Sequence, residues 1–241
     1  AMADAFAAAG ANLALLDIDL ERARQKAEEL ERSGTAAIAL PVDVADKASV
    51  ESAAARVSER FGGCDVLCAN VGVQQFGAID RLTDQDWQWV MGVNFHGVVN
   101  TVDAFLPLLR ARDGRRHVVL TASASFFQFG IRMAAYVASK FAVVGYGEVL
   151  RQELAPEGIN VAMLFPAGMA TRHIESSIAA RPSELGESRF DYEDVKAMKV
   201  ALVLDEWVAG SKAVDVEDEY LCLAGSIRAA ERRSDGTWQA N

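Results

Sequence analysis

Five short runs in this chain are apolar at nearly every position, and a stretch with helical periodicity separates each from the next. They lie in "NLALLDID" (12–19), "TAAIALPVDV" (35–44), "DVLCAN" (65–70), "HVVLTA" (117–122) and "INVAMLF" (159–165). A strand that is apolar on both faces must be covered on both, and strands joined through helices run parallel. The pattern therefore predicts a doubly wound α/β fold of the Rossmann type, a parallel sheet between two helical layers. The predicted helices are an alanine-rich opening stopped by Gly10, residues 19–33 closed by Gly34, residues 46–61 stopped by Gly62 and Gly63, then Thr83 to Arg112 and Tyr136 to Ala155.

A sheet of this kind is begun by a central strand, from which the chain winds outward in both directions. Here the first element is a helix. The strands at 12–17 and 35–42 would then stand apart from those at 65–70 and 117–122, leaving a gap in the middle of the sheet. The expectation is that a first strand and a glycine-rich turn, about 20 to 30 residues, precede residue 1.

Beyond Pro166 the pattern loosens into "AGMATRHIESSIAARPSELGESRFDYED", which reads as a long excursion over the sheet edge and a candidate lid at about 171–205. Helical patterns at 191–203 and 206–216, a short strand in "EYLCLAG" and a polar, peripheral tail complete the chain. With no internal repeat and no linker-like shift in composition, residues 1–241 are expected to form a single domain.

Composition narrows the partners. Hydrophobic residues make up 51% of the chain, yet no apolar run reaches the ~18 residues a membrane span needs, so a soluble, cytoplasmic protein is expected. A net charge of −10 repels nucleic acid and anionic lipid. Cys64, Cys68 and Cys222 read as free thiols, and the scattered His96, His117 and His173 do not combine with them at zinc spacing, so no metal site is expected.

Seven pieces in order carry a family resemblance: "GANLALLD" (10–17), "VDV" (42–44), "ANVG" (69–72), "GVNFHG" (92–97), "TAS" (121–123), "YVASK" (136–140) and "PAGMAT" (166–171). Together they resemble the short-chain dehydrogenase/reductase family over nearly the whole chain. Three departures stand out. The family's glycine-rich phosphate loop is absent, its N-N-A-G is Ala69-Asn70-Val71-Gly72, and its P-G-x-V-x-T is Pro166-Ala167-Gly168-Met169-Ala170-Thr171.

The resemblance implies oxidation of an alcohol, or reduction of a carbonyl, with a nicotinamide cofactor. Such a site needs one group to remove and return the hydroxyl proton, and Tyr136 suits that role. A free phenol titrates near 10, so work at neutral pH needs its pKa lowered by roughly 2 to 3 units. Lys140, four residues on and on the same helix face, carries the charge to do so. Ser123, at the carboxyl end of its strand, is placed to hydrogen-bond the reacting oxygen. By resemblance, Asn94 holds a water that relays protons from Lys140, and Lys140 also holds the nicotinamide ribose.

Asp17 closes its strand where a carboxylate can take both adenosine ribose hydroxyls, and it would repel a 2′-phosphate, favouring NAD over NADP. The resemblance also puts Asp43 and Val44 beside the adenine, Asn70, Val71 and Gly72 along the crevice, and Pro166, Gly168, Met169 and Thr171 near the carboxamide. Between Ser123 and Tyr136, residues Ser125, Phe126, Phe127, Gln128, Phe129 and Met133 form a candidate wall for a lipophilic or aromatic alcohol or ketone. The phenylalanines could equally serve core or dimer packing. "RHIESSIAARP" resembles a segment of the subgroup that oxidises benzylic alcohols of lignin-derived aryl ethers. Family members pair through the two long helices, which implies a homodimer or homotetramer. Two other readings are weighed: a non-catalytic dinucleotide-binding scaffold, which needs neither the tyrosine nor its lysine, and a sugar-nucleotide epimerase, which would carry a larger second domain.

Overall fold

The computed structural model describes residues 2–126, 131–167 and 171–186, together with three short strands at 220–221, 230–232 and 238–240. The first three helices and first three strands alternate: α1 (Met2–Ala8), β1 (Leu13–Asp17), α2 (Leu20–Arg32), β2 (Ala37–Pro41), α3 (Lys47–Phe61) and β3 (Val66–Ala69). Local chemistry sets their ends. The Asp19 and Asp46 side chains accept backbone N–H bonds at the starts of α2 and α3, and Gly62 closes α3 in the left-handed region at φ 75°.

The predicted helix 83–112 is α4 (Asp84–Met91) and α5 (Gly97–Arg110), joined by a π-helical turn at Gly92–His96. Thr83 and Asp86 form a capping box that starts it. Then come β4 (Arg116–Thr121), α6 (Ala134–Leu154) and β5 (Ile159–Leu164). The stretch read as an excursion contains a helix, α7 (His173–Ala179), too short for its periodicity to show in the sequence. The remaining strands are β6 (Tyr220–Leu221), β7 (Ala230–Arg232) and β8 (Trp238–Ala240). The helical patterns expected at 191–203 and 206–216, the lid beyond 186 and Cys222 lie outside the described residues. Part of the tail, read as merely peripheral, is the antiparallel pair β7–β8.

Strands β1 to β6 pair in parallel in two separate sheets, β1–β2 and β3-β4-β5-β6, apart from the antiparallel pair β7–β8. One core still joins them. Ala14, Leu16, Ile38 and Leu40 face the cluster built on Val50, Val98, Leu109, Val118, Leu120 and Ile159, while the alternate Leu13, Leu15, Ala37 and Ala39 face α1 and α2. Period-two alternation thus gives β1–β2 two covered faces. Further along, the expectation of strands buried on both faces is corrected: in β5, Ile159, Val161 and Met163 are buried but Asn160 and Ala162 are exposed. The described helices cover β5 on the α6 side, where Gly147 allows close approach. A Cβ at Gly147 would stand 2.7 Å from Met163 Sδ. Cys64 and Cys68 are free and half-buried, and burial is the main cause that pushes the Cys64 thiol up to about 11. Among the described residues, no helix is long and apolar enough to cross a membrane.

Candidate active site

Helix α6 enters the core beside the carboxyl ends of β3 and β4, the edge at which open α/β sheets take ligands. Its first two turns present Tyr136 and Lys140 on one face. Lys140 is 2% exposed, and its ammonium donates to the Val71 carbonyl at 2.8 Å and the Thr121 carbonyl at 2.9 Å. It ties the helix to two strand ends. An ammonium has three N–H groups, so one has no partner among the described residues. Burial brings the Lys140 pKa down to about 8.

The Tyr136 ring centroid is 5.9 Å from Lys140 Nζ, and the phenol hydrogen-bonds the Ser123 side chain. The structure thus brings together three of the residues picked from the sequence. Burial pushes the phenol up from its ordinary value, and the Ser123 bond partly opposes this.

Asn94 lies in the π turn and is fully buried. Its Oδ1 accepts the Val73 N–H at 2.7 Å, and its Nδ2 donates to the Val73 carbonyl at 3.0 Å and to Ser139 Oγ at 2.9 Å. Ser139 in turn donates to the Tyr136 carbonyl at 2.7 Å. The Asn94 side chain thereby links the loop after β3 to the first two turns of α6. Ser139 was visible inside "YVASK", but nothing in the sequence announced the π turn that aims Asn94 at it. π turns recur at functional sites because the extra residue re-aims a side chain.

The residues expected along the dinucleotide are more dispersed in role. Asp17 is exposed at the end of β1, and its Oδ1 accepts the Asp19 N–H at 2.9 Å. Asp43 is also exposed and accepts the Ala45 N–H at 2.9 Å. Val44 packs on the core; a Cβ on Gly97 would stand 2.6 Å from its Cγ2. Asn70 accepts a bond from Thr121 Oγ1 at 2.9 Å, and the Pro166 carbonyl accepts the Ala124 N–H at 2.9 Å. Gly72 sits against the cluster: a Cβ there would lie 3.1 Å from Lys140 Nζ and 3.8 Å from Asn94 Oδ1. A dinucleotide fits this set. The Gly72 cradle leaves room beside the spare Lys140 N–H, and Asp17 keeps a second carboxylate oxygen for a ribose hydroxyl. Thr171 is exposed just before α7, while Gly168 and Met169 lie outside the described residues.

On the substrate side, Ser125 follows Ser123, whose Oγ accepts the Ser125 N–H at 3.2 Å. Phe126 is half-buried and packs on Phe141 and Phe165, with ring centroids at 4.6 and 5.8 Å, the packing role that the sequence left open beside a place in the wall. Met133 lines a cavity of about 400 Å³ with Gly77, Ile79, Arg132, Ala134, Val137 and Ala138. Ala134 and Ala138 are two residues from Tyr136, on nearly the opposite side of the helix, so this cavity flanks the cluster rather than containing it. Phe127, Gln128 and Phe129 lie outside the described residues.

Within the stretch expected as a lid, helix α7 lies over the cluster. His173 sets its ring 6.2 Å from that of Tyr136, and buried Ser177 accepts the Gln74 N–H at 2.8 Å. Just beyond, Arg181 pairs with buried Asp86 at 2.8 Å, donates to Gln75 Oε1 at 2.8 Å and lies over the Trp89 ring. Burial pushes the Asp86 carboxyl up, but bonds from Thr83 and Arg181 outweigh it and hold the group below its ordinary value.

Comparisons with known proteins agree with this architecture. The family model for short chain dehydrogenases matches residues 1–181. A C alpha-dehydrogenase from Sphingobium is 32% identical over 189 residues, 78% of this chain and 62% of the relative's length, which accords with the subgroup resemblance of the "RHIESSIAARP" segment. The chain thus spans under two thirds of that relative. Among solved structures, a short chain dehydrogenase/reductase from Burkholderia phymatum in complex with NAD is similar at TM-score 0.75 and 31% identity, covering 83% of this chain and 72% of the other. An alcohol dehydrogenase from Thermococcus sibiricus complexed with 5-hydroxy-NADP is similar at TM-score 0.69 and 27% identity, covering 92% and 88%. With the fold, the ordered motifs and three-quarters of the chain in agreement, this protein belongs to the short-chain dehydrogenase/reductase family of oxidoreductases.

Proposed function

We propose that the protein is an NAD-dependent alcohol dehydrogenase or carbonyl reductase acting on secondary alcohols and ketones, with Tyr136 as its acid and base. The observation that carries this reading is the buried phenol of Tyr136, bonded to Ser123 and beside a lysine fixed to two strand ends. When bound, the dinucleotide supplies the hydride acceptor for oxidation or the donor for reduction. Overall, alcohol and NAD⁺ give ketone, NADH and a proton. Tyr136 takes the hydroxyl proton in one direction and returns it to the carbonyl oxygen in the other. Since burial raises its pKa, the resting group is the acid, and the Lys140 ammonium favours the phenolate as the proton leaves. Ser123 orients the reacting oxygen, and Asn94 acts through Ser139 and Val73 to hold the cluster in place.

Preference for NAD rests on Asp17 and on its neighbours. Arg22, the nearest cation along the chain, is held by Asp19 at 3.0 Å, so a 2′-phosphate would meet carboxylates before a free guanidinium. The surface of α4–α5 and α6, with Val149 and Phe141 exposed, is the pairing face for a homodimer or homotetramer in the cytoplasm. The test is NADH formation across aromatic and aliphatic secondary alcohols, with Tyr136→Phe as control. The variant should lose at least about 100-fold in kcat. Undiminished turnover by Tyr136→Phe would sink the mechanism.

A further inference from the structure

Helix α7 buries little of its own surface. Its buried residue is a serine, Ser177, while Ile178 beside it is 49% exposed, so apolar packing does not set where the helix lies. Polar ties must do so, and the densest of them is Arg181, just past the helix end, with its side chain 9% exposed. Its Nη2 pairs with Asp86 Oδ1 at 2.8 Å and donates to the Leu185 carbonyl at 3.1 Å. Its Nη1 donates to Gln75 Oε1 at 2.8 Å, and its Nε to the Gly186 carbonyl at 2.9 Å. Asp86 is committed in turn, since its Oδ2 accepts the Thr83 N–H and hydroxyl in the capping box that starts α4. The pair joins the end of α7 to the start of α4, and Gln75 brings in the loop after β3.

A buried charge is costly unless it is paired, and a guanidinium serves several acceptors at fixed angles where an ammonium cannot. Arg181 is therefore held to one position. The other end of the same helix meets the reacting group, with the His173 ring centroid 6.2 Å from that of Tyr136. Between them Ser177 accepts the Gln74 N–H at 2.8 Å and donates to the His173 carbonyl at 2.6 Å. The seven residues of α7 make a rod about 10 Å long, short enough to transmit a shift at Arg181 to His173. We propose that Arg181 and Asp86 form a latch that positions α7, and that through His173 this latch sets how the alcohol is held at Tyr136. Arg181 is thus a positioning residue of the substrate side. This rests on the alcohol dehydrogenase reading and deepens it.

The experiment uses Arg181→Lys, which keeps the charge beside Asp86 but loses the fork. Its KM for the alcohol should rise about 10-fold while its KM for NAD stays within about 2-fold. In a His173→Ala background the same substitution should change the alcohol KM by less than about 2-fold, because the helix no longer carries a ring to Tyr136. Asp86→Asn, which preserves the shape of the cap, should reproduce the split and serves if the lysine variant does not fold. Hydrogen exchange gives a readout apart from turnover: amides of residues 173–179 should exchange about 10-fold faster in Arg181→Lys, with those of α6 unchanged. A KM that rises equally for alcohol and NAD, an effect that persists undiminished in the His173→Ala background, or unaltered exchange in α7 overturns the latch. A wild type that turns over no alcohol with either dinucleotide overturns the broader reading, and α7 exchange then still decides whether Arg181 holds the helix.

Discussion

The two ends of the crevice are built differently. At the reacting end, Asn94, Ser139 and Lys140 are all at or below 2% exposed, and each bonds an element distant in sequence or the turn before it. At the adenosine end, Asp17, Asp19 and Asp43 are exposed and bond N–H groups only two or three residues further along. The first set exists only in the folded protein. The second belongs to turns that form locally, leaving carboxylate oxygens open to a ligand. Rigid placement is concentrated where the proposed mechanism moves a proton, and adaptable polarity where it would hold a ribose.

The contrast can be broken by substitution. Asn94→Leu strips partners from Val73 and Ser139 and should destabilise the protein by about 3 kcal/mol or more, seen as a lower urea midpoint at unchanged slope. A loss under about 1 kcal/mol would show that the clamp is not structural.

Lys140 offers a pH test whose sign follows from its lowered pKa. Below about 8 the folded protein carries a buried ammonium; as pH rises it sheds that proton, while the unfolded chain keeps its own up to 10.5. The unfolded state then binds more protons, so stability rises with pH across that window. Relative to Lys140→Met, the wild type should gain up to about 3 kcal/mol between pH 7 and pH 10.5, read from paired denaturation curves. A flat difference would mean that the ammonium is better solvated than its burial suggests.

Asp17→Asn should matter least to the fold, within about 0.5 kcal/mol, while raising the KM for NAD about tenfold and narrowing the preference against NADP. If this variant unfolds as readily as Asn94→Leu, the distinction between the two ends fails.

Much of the strand and helix order was legible because apolar periodicity is a local record of burial. Phe126 shows where reading stops: a loop phenylalanine has no periodicity to declare its direction, and only the fold sets it against Phe141 and Phe165. Helix α7 was missed because seven residues make barely two turns.

From sequence alone came the strand order, the shared face of Tyr136 and Lys140, and the serine at a strand end, all set by spacing along a regular backbone. Only the tertiary structure decided what those groups experience. Burial raises the phenol and lowers the lysine, and Asn94 serves Val73 and Ser139. Arg181, not singled out in the sequence, proves to be held against Asp86 and Trp89 at the end of α7. Desolvation and hydrogen-bond satisfaction depend on what lies across space, which no spacing along the chain encodes.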